Sequence, residues 1–158
     1  MQILKRSMVL ALPALLLPAV AFSQMEKPGA YKHAVVTPDK LTWEAIQPPG
    51  FDAGAKIAAI HGDPNAETGV YVIRLMFPDG YKFPPHWHPN AENLTVLEGD
   101  FMLGMGEMAD AAKLVTYKPG SFLFIPGKSP HFGQVKGNTV IQLHGQAPFK
   151  IELVAAKP

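Results

Sequence analysis

The chain has 158 residues and a nearly balanced charge, with 14 Lys and Arg against 13 Asp and Glu and a formal net charge of +1. It contains no cysteine, which excludes disulfides, thiolate nucleophiles and thiolate metal sites. It also lacks runs of Lys or Arg and basic stripes with interleaved aromatics, so neither nucleic acid nor an anionic membrane is an expected partner.

Residues 1–23 have the layout of a secretory signal peptide. Two basic residues precede an apolar run from Met8 to Phe22, which ends in small residues. A membrane-spanning helix is the alternative, but the run is shorter than the roughly 20 apolar residues that a bilayer requires, and two prolines interrupt it. Cleavage is expected after Ala21 or Ser23. This predicts a secreted protein with no membrane span after processing.

The remaining chain, residues 24–158, is expected to form one domain. Removing 23 of the 158 residues leaves 135, enough for a real core, and the loss of two basic residues brings the net charge to −1. Two turns rich in Pro and Gly mark residues 24–50 as an extended arm, with one short helix predicted at Leu41–Ile46. Residues 51–158 would then form the main body.

From residue 55 onward, short apolar runs are separated by turns rich in Gly, Pro, Asn and Asp. This pattern predicts strands of an all-β sandwich or barrel. The 16 prolines and 14 glycines fit that class better than a helical bundle. The predicted strands outside the histidine-rich segment are Lys56–Ile60, Val70–Phe77, Asn93–Leu97, Phe101–Met105, Leu114–Tyr117, Ser121–Ile125, Val140–His144 and Phe149–Val154.

The segment that follows Gly80 carries His86, His88 and Glu92. Side chains alternate along an extended segment, so the two imidazoles point the same way, and Glu92 shares their face if the strand is regular. Two imidazoles and a carboxylate suit Fe, Mn, Ni, Co, Zn or Cu. Burying these groups without an ion or hydrogen bonds would be costly. The segment therefore predicts a site for one divalent transition metal ion.

A third imidazole is available in His131, which follows a predicted turn, strand and turn over Gly120–Pro126. In an antiparallel barrel that strand can lie beside the strand that carries His86 and His88. His131 would then complete the ligand set from across the barrel.

The spacing of these residues resembles the cupin superfamily. The first cupin motif is a Gly, five residues, His-x-His, three or four residues, Glu, six residues and a Gly. It is met in full by Gly80, His86, His88, Glu92 and Gly99.

The second cupin motif is met in part. It is matched at Gly120, Pro126 and His131, whereas Lys128 replaces a motif Gly and Val135 replaces a motif Asn. Gly127, one position earlier, is expected to supply the turn that Lys128 cannot. Beyond the motifs, the chain looks like small exported bacterial cupins and is akin to the cupin domain of zinc-dependent anti-sigma factors.

The resemblance implies a jelly-roll barrel, or double-stranded β-helix, with a periplasmic location. It also implies that His86, His88, Glu92 and His131 bind one divalent ion (Fe, Mn, Zn, Ni or Cu). The favoured function is a mononuclear non-haem oxidoreductase, dioxygenase-like or oxidase-like, that acts on a small molecule. The alternative is a non-catalytic, metal-stabilised module that binds or senses a small ligand. Six-coordinate geometry would leave positions open for substrate, whereas closed tetrahedral zinc would not.

Three further side chains are candidates for the pocket. Gln142 and His144 share one strand face and either orient a ligand imidazole by hydrogen bonding or form an outward polar face. Tyr71 and Arg74 lie on opposite faces of another strand, so at most one of them points inward, and Tyr71 is the pocket candidate. The arm and the strand edges suggest a homodimer, because uncovered edges are usually paired or capped.

Overall fold

The computed structural model describes residues 34–155; the predicted signal peptide lies outside them. Within that range the chain forms strands and two single-turn 3-10 helices, Pro38–Lys40 and Ala111–Lys113. The strands are β1 (Glu44–Ile46), β2 (Ala55–His61), β3 (Val70–Phe77), β4 (Lys82–Trp87), β5 (Glu92–Met105), β6 (Val115–Tyr117), β7 (Phe122–Ile125), β8 (His131–Gln146) and β9 (Glu152–Leu153). The predicted all-β class is confirmed. None of the helices in this range has the length and apolar character needed to cross a membrane.

Strand β8 connects the two parts of an antiparallel barrel. One series of paired strands runs β1-β2-β3-β8-β4-β9, and β5 pairs with β8, β7 and β6. The barrel interior takes alternate residues of each strand, as in β3, where Tyr71, Ile73, Leu75 and Phe77 are buried. Alternation thus divides β3 into a core face and an outer face.

The β5–β8 ribbon curls until its two ends meet. Its register pairs Glu92 with Gly145 at one end and Met105 with His131 at the other. Fourteen residues of straight strand would span about 45 Å. The Glu92 Oε2 and His131 Nε2 atoms are nevertheless only 3.6 Å apart. This closure is the double-stranded β-helix that the sequence motifs imply.

Three sequence-based boundaries differ from the structure. The helix predicted at Leu41–Ile46 is wrong, because Glu44–Ile46 pairs antiparallel with β2 and backbone pairing there outweighs local preference. The two strands predicted over residues 93–105 are one strand, β5, whose register shifts near Gly99, a residue with φ of +71°. Strand β8 also begins well before the predicted Val140.

Candidate metal centre

The four predicted ligands lie together at the point where the ribbon closes. His86 is in β4, and His88 is the first residue after that strand. Glu92 is the first residue of β5, and His131 is the first residue of β8. All four are buried, and the ligand nitrogens of the three histidines lie within 4.8 Å of one another. The Glu92 carboxylate is 3.4 Å from His88 Nε2 and 3.6 Å from His131 Nε2.

The route by which these side chains meet differs from the one predicted. Glu92 does not share a regular strand with His86, because the chain turns after His88 and Glu92 opens the next strand. His131 does not reach in from across the barrel. Its Cα lies directly opposite that of His86 in the β4–β8 pair, so the two imidazoles are cross-strand neighbours with ring centroids 4.2 Å apart.

Each imidazole is held by one hydrogen bond to a backbone carbonyl. The Nδ1 atoms of His86, His88 and His131 lie 2.7, 2.7 and 2.9 Å from the carbonyl oxygens of Pro84, Lys150 and Ser129. A carbonyl only accepts, so each neutral ring carries its proton on Nδ1 and leaves the Nε2 lone pair free. Three oriented nitrogen donors and a carboxylate fit a divalent transition metal, and such outer hydrogen bonds are typical of histidine ligands.

Two aromatic rings flank the imidazoles from outside the histidine motifs. Phe51, which precedes β2, meets His86 edge-on with ring centroids 5.3 Å apart. Phe149, which precedes β9, stacks on His88 at 5.2 Å with an interplanar angle of 14°. Neither was identified as a site residue from the sequence, because their roles depend on how the segments before β2 and before β9 pack beside the histidines.

Burial dominates the protonation of the metal-free site. Burial, together with a smaller effect of the neighbouring imidazoles, lowers the pKa of His86 to about 3 and that of His88 to about 4. Burial also lowers the pKa of His131 and raises the pKa of Glu92 to about 8. At neutral pH the imidazoles are therefore ready to bind an ion, whereas Glu92 first has to lose its proton.

Zinc binding to the metal-free protein is expected to release about one proton near pH 7. The apparent affinity should rise about tenfold per pH unit between about pH 6 and 8 and then level off, because ionised Glu92 binds the ion and protonated Glu92 does not. Calorimetry in buffers of different ionisation enthalpy measures the proton count. Glu92→Gln should abolish most of the release, and a count of two or more at pH 7 would contradict this assignment.

The three additional pocket candidates separate into one inward and two outward residues. Tyr71 is buried against Phe149, with ring centroids 5.7 Å apart, and its pKa is raised by burial and by the nearby charge of Glu92. Gln142 and His144 are wrong as pocket residues. Their neighbours on β8 take the inward positions, so Gln142 accepts a hydrogen bond from Arg74 (3.1 Å) and His144 is exposed.

The turn before His131 also differs from expectation. Lys128 itself adopts the left-handed conformation, with φ of +61°, and its N–H donates to the His88 carbonyl at 2.7 Å. Gly127 has no positive φ, but a Cβ there would lie 2.6 Å from the Pro89 carbonyl oxygen. Gly127 is therefore needed for close approach, and Lys128 tolerates a backbone that normally favours glycine.

Lys128→Gly is expected to stabilise the protein by about 0.5 kcal/mol, because relief of the left-handed strain exceeds the added flexibility of the unfolded chain. The His88 carbonyl keeps its backbone partner. Urea denaturation would measure the change. Lys136→Gly, an exposed strand position, is the matched control and should destabilise. Destabilisation by Lys128→Gly would show that the lysine side chain has a role of its own.

The four candidate ligands form part of the wall of a cavity of about 60 Å³. A water molecule needs roughly 10–15 Å³ by the same measure, so there is room for a small molecule. The rest of the wall is almost entirely aliphatic and aromatic, with Leu75, Leu103, Ile141 and Leu143 among its residues.

Comparison with known proteins supports the fold and the family. The model of the ChrR cupin-like domain family matches residues 31–150. Germin-like protein 1-1 of Oryza sativa subsp. japonica is 31% identical over 140 residues, which cover 79% of this chain and 65% of that protein. The chain thus spans just under two thirds of the length of this curated relative.

Two solved structures show the same fold at low identity. The polyketide cyclase RemF of Streptomyces resistomycificus superposes with a TM-score of 0.65 at 21% identity, covering 80% of this chain and 88% of RemF. A candidate acetylacetone dioxygenase of Methylibium petroleiphilum superposes with a TM-score of 0.59 at 18% identity, covering 81% and 83% of the two chains. These matches agree with the predicted cupin barrel.

Proposed function

Because this chain belongs to the family of ChrR cupin-like domains, and through it to the cupin superfamily, we propose that it is a mononuclear metal-dependent oxidoreductase. Its reaction would be of the dioxygenase or oxidase type, on a small molecule. His86, His88, Glu92 and His131 would hold the ion.

The position of the donors beside a cavity is the observation that carries this proposal. A structural metal site is closed by its protein ligands, whereas a catalytic site keeps a position open. Here the four side chains form one part of a wall whose remainder encloses free volume. A substrate in that volume would lie next to the ion.

The protein's own groups would hold the ion, keep its imidazole ligands oriented and exclude water from the site. The bound ion would supply Lewis acidity and a place for substrate and dioxygen to meet. The Nδ1 hydrogen bonds keep the imidazoles oriented, and the apolar wall excludes water, which strengthens electrostatic interactions inside. Within residues 34–155, Glu92 is the one carboxylate that lines the cavity, which makes it the group to accept a substrate proton.

The similar structures include a cyclase and a candidate dioxygenase. Because their sequence identity to this chain is low, they support the fold alone, and the proposed reaction rests on the geometry of the site. A non-catalytic binding or sensing module is the second candidate. The observation in its favour is that three imidazoles and a carboxylate already suffice for a complete tetrahedral zinc shell.

Metal content and coordination of protein purified from the exported fraction would test the proposal. About one equivalent of iron, manganese, nickel or copper with five or six light-atom ligands would support the enzyme. A screen for oxygen uptake would follow. Four-coordinate zinc without exchangeable water would support the sensing module. Failure to bind any metal, even after reconstitution, would refute both.

We also propose that the protein is exported to the periplasm and associates with a second copy of itself. Phe122 and Phe124 of β7 and Val115 of β6 are exposed apolar side chains, which supports a contact between two copies. Osmotic-shock fractionation would test the location, and light scattering would test for a dimer. A cytoplasmic monomer would refute both expectations without affecting the metal centre.

A further inference from the structure

Apart from its four metal-binding donors, the cavity offers a ligand almost no polar partner. In the part of the chain that the structure describes, no Lys, Arg, Asn, Gln, Ser or Thr lines it. Among the described residues, Tyr81 is the one other polar side chain in the wall, and its hydroxyl donates to the Asp52 carbonyl at 2.9 Å. A polar group far from the metal centre would therefore lose its hydration without replacement.

The charge of the site sets a second limit. A divalent ion bound by three neutral imidazoles and one carboxylate leaves a net charge of +1. A monoanion brings that sum to zero, whereas a dianion leaves an excess negative charge. No cationic side chain lines the described cavity to compensate it, and an uncompensated buried charge is strongly unfavourable.

The size and shape of the wall set a third limit. The free volume of about 60 Å³ lies among Leu75, Ile141 and Leu143 and the aromatic rings of Phe77 and Phe101. A hydrocarbon group placed there would be removed from water, which favours binding in proportion to the apolar surface that is buried. The ligand would thus have one polar end at the metal centre and an apolar remainder.

We propose, on the basis of the metal centre argued above, that this site selects a small organic monoanion with an apolar body. It would discriminate against dianions of the same size. The single anionic group would contact the ion, and the hydrocarbon part would occupy the cavity. Monocarboxylates and enolates belong to this class.

Isovalerate and malonate form a matched pair for the test. Malonate replaces the terminal isopropyl group of isovalerate with a second carboxylate of similar shape. In water malonate chelates divalent ions better than a monocarboxylate does, so simple metal affinity predicts the opposite order. Calorimetry on the full chain loaded with zinc, which is redox-inert, measures binding without turnover. Isovalerate should bind at least about tenfold more tightly than malonate.

A cation placed in the wall should change this preference. Ile46 is partly buried at the end of β1 and lines the cavity, so Ile46→Lys should strengthen malonate binding and weaken that of isovalerate. Ala45→Lys adds the same charge at the exposed neighbouring position and should leave the preference unchanged. Circular dichroism checks the fold of both variants. If Ile46→Lys does not fold, the ratio of isovalerate affinity to malonate affinity in the wild-type protein still tests the inference.

Loss of the preference for monoanions and loss of the metal centre would give different results. Equal or tighter binding of malonate by protein that holds about one equivalent of zinc would overturn the inference alone. Absence of binding for both probes at millimolar concentrations would overturn the inference together with the open coordination position that the proposed enzyme requires. Protein that retains no zinc would overturn the metal centre and the inference together.

Discussion

Replacing His86 and His88 together with Ala is expected to lower the bound metal from about one equivalent to less than about a tenth. The double variant removes two of the three nitrogen donors that converge within 4.8 Å, and His131 and Glu92 alone would leave most of the coordination shell to water. Elemental analysis after dialysis against buffer would measure the loss. Oxygen uptake or ligand binding at the centre should disappear with the metal.

His144→Ala is the matched control for this result. His144 is an exposed histidine on the outer face of β8, whose first residue is His131. The control variant should keep the wild-type metal content and unfolding midpoint. Metal retention by the double variant, or loss of metal in the control, would contradict the assignment of the ligand set.

Gly99→Ala is expected to destabilise the protein by about 3–4 kcal/mol. Gly99 has φ of +71°, and a Cβ there would lie 2.5 Å from the Asn138 carbonyl oxygen and 2.9 Å from Thr139 Cα. Both contacts are with backbone that is anchored in β8, so the strand has to move. Urea denaturation of the metal-free protein, with comparison of midpoints and slopes, would measure the effect.

Gly80→Ala separates the two causes of the destabilisation expected for Gly99→Ala, which are backbone strain and steric contact with β8. Gly80 has a similar φ of +75°, but a Cβ there would meet nothing within 4 Å. Gly80→Ala should lower the free energy of unfolding only through the strain of the left-handed backbone, by about 1 kcal/mol. The difference between the two variants then measures the steric contact with β8. Equal effects would show that backbone conformation alone determines the requirement for glycine.

The spacing of His86, His88, Glu92 and His131 was enough to predict that they meet. It was not enough to predict how, because the turn after His88 and the pairing of His131 with His86 depend on strand register. The same limit explains the errors at Gln142 and His144. Two residues of equal parity share a face of a regular strand, but which face points inward is fixed by pairing with distant strands.

Local preferences also failed where tertiary contacts outweigh them. The segment Leu41–Ile46 has a helical composition, yet the open edge of β2 binds part of it as β1. At Lys128 a hydrogen bond to His88 accompanies a backbone conformation that sequence rules assign to glycine. The regular alternation of β3, by contrast, was readable because one face is buried along its whole length.

The closure of the curled β5–β8 ribbon has a consequence for how metal binding is coupled to folding. His86, His88 and Glu92 lie within seven residues, so an unfolded chain could chelate an ion with these three alone. His131 comes 39 residues after Glu92 and joins them only when the ribbon closes. An ion stabilises the fold only to the extent that it binds the folded chain more tightly than the unfolded one. His131 is therefore the ligand that converts affinity for metal into stability of the barrel.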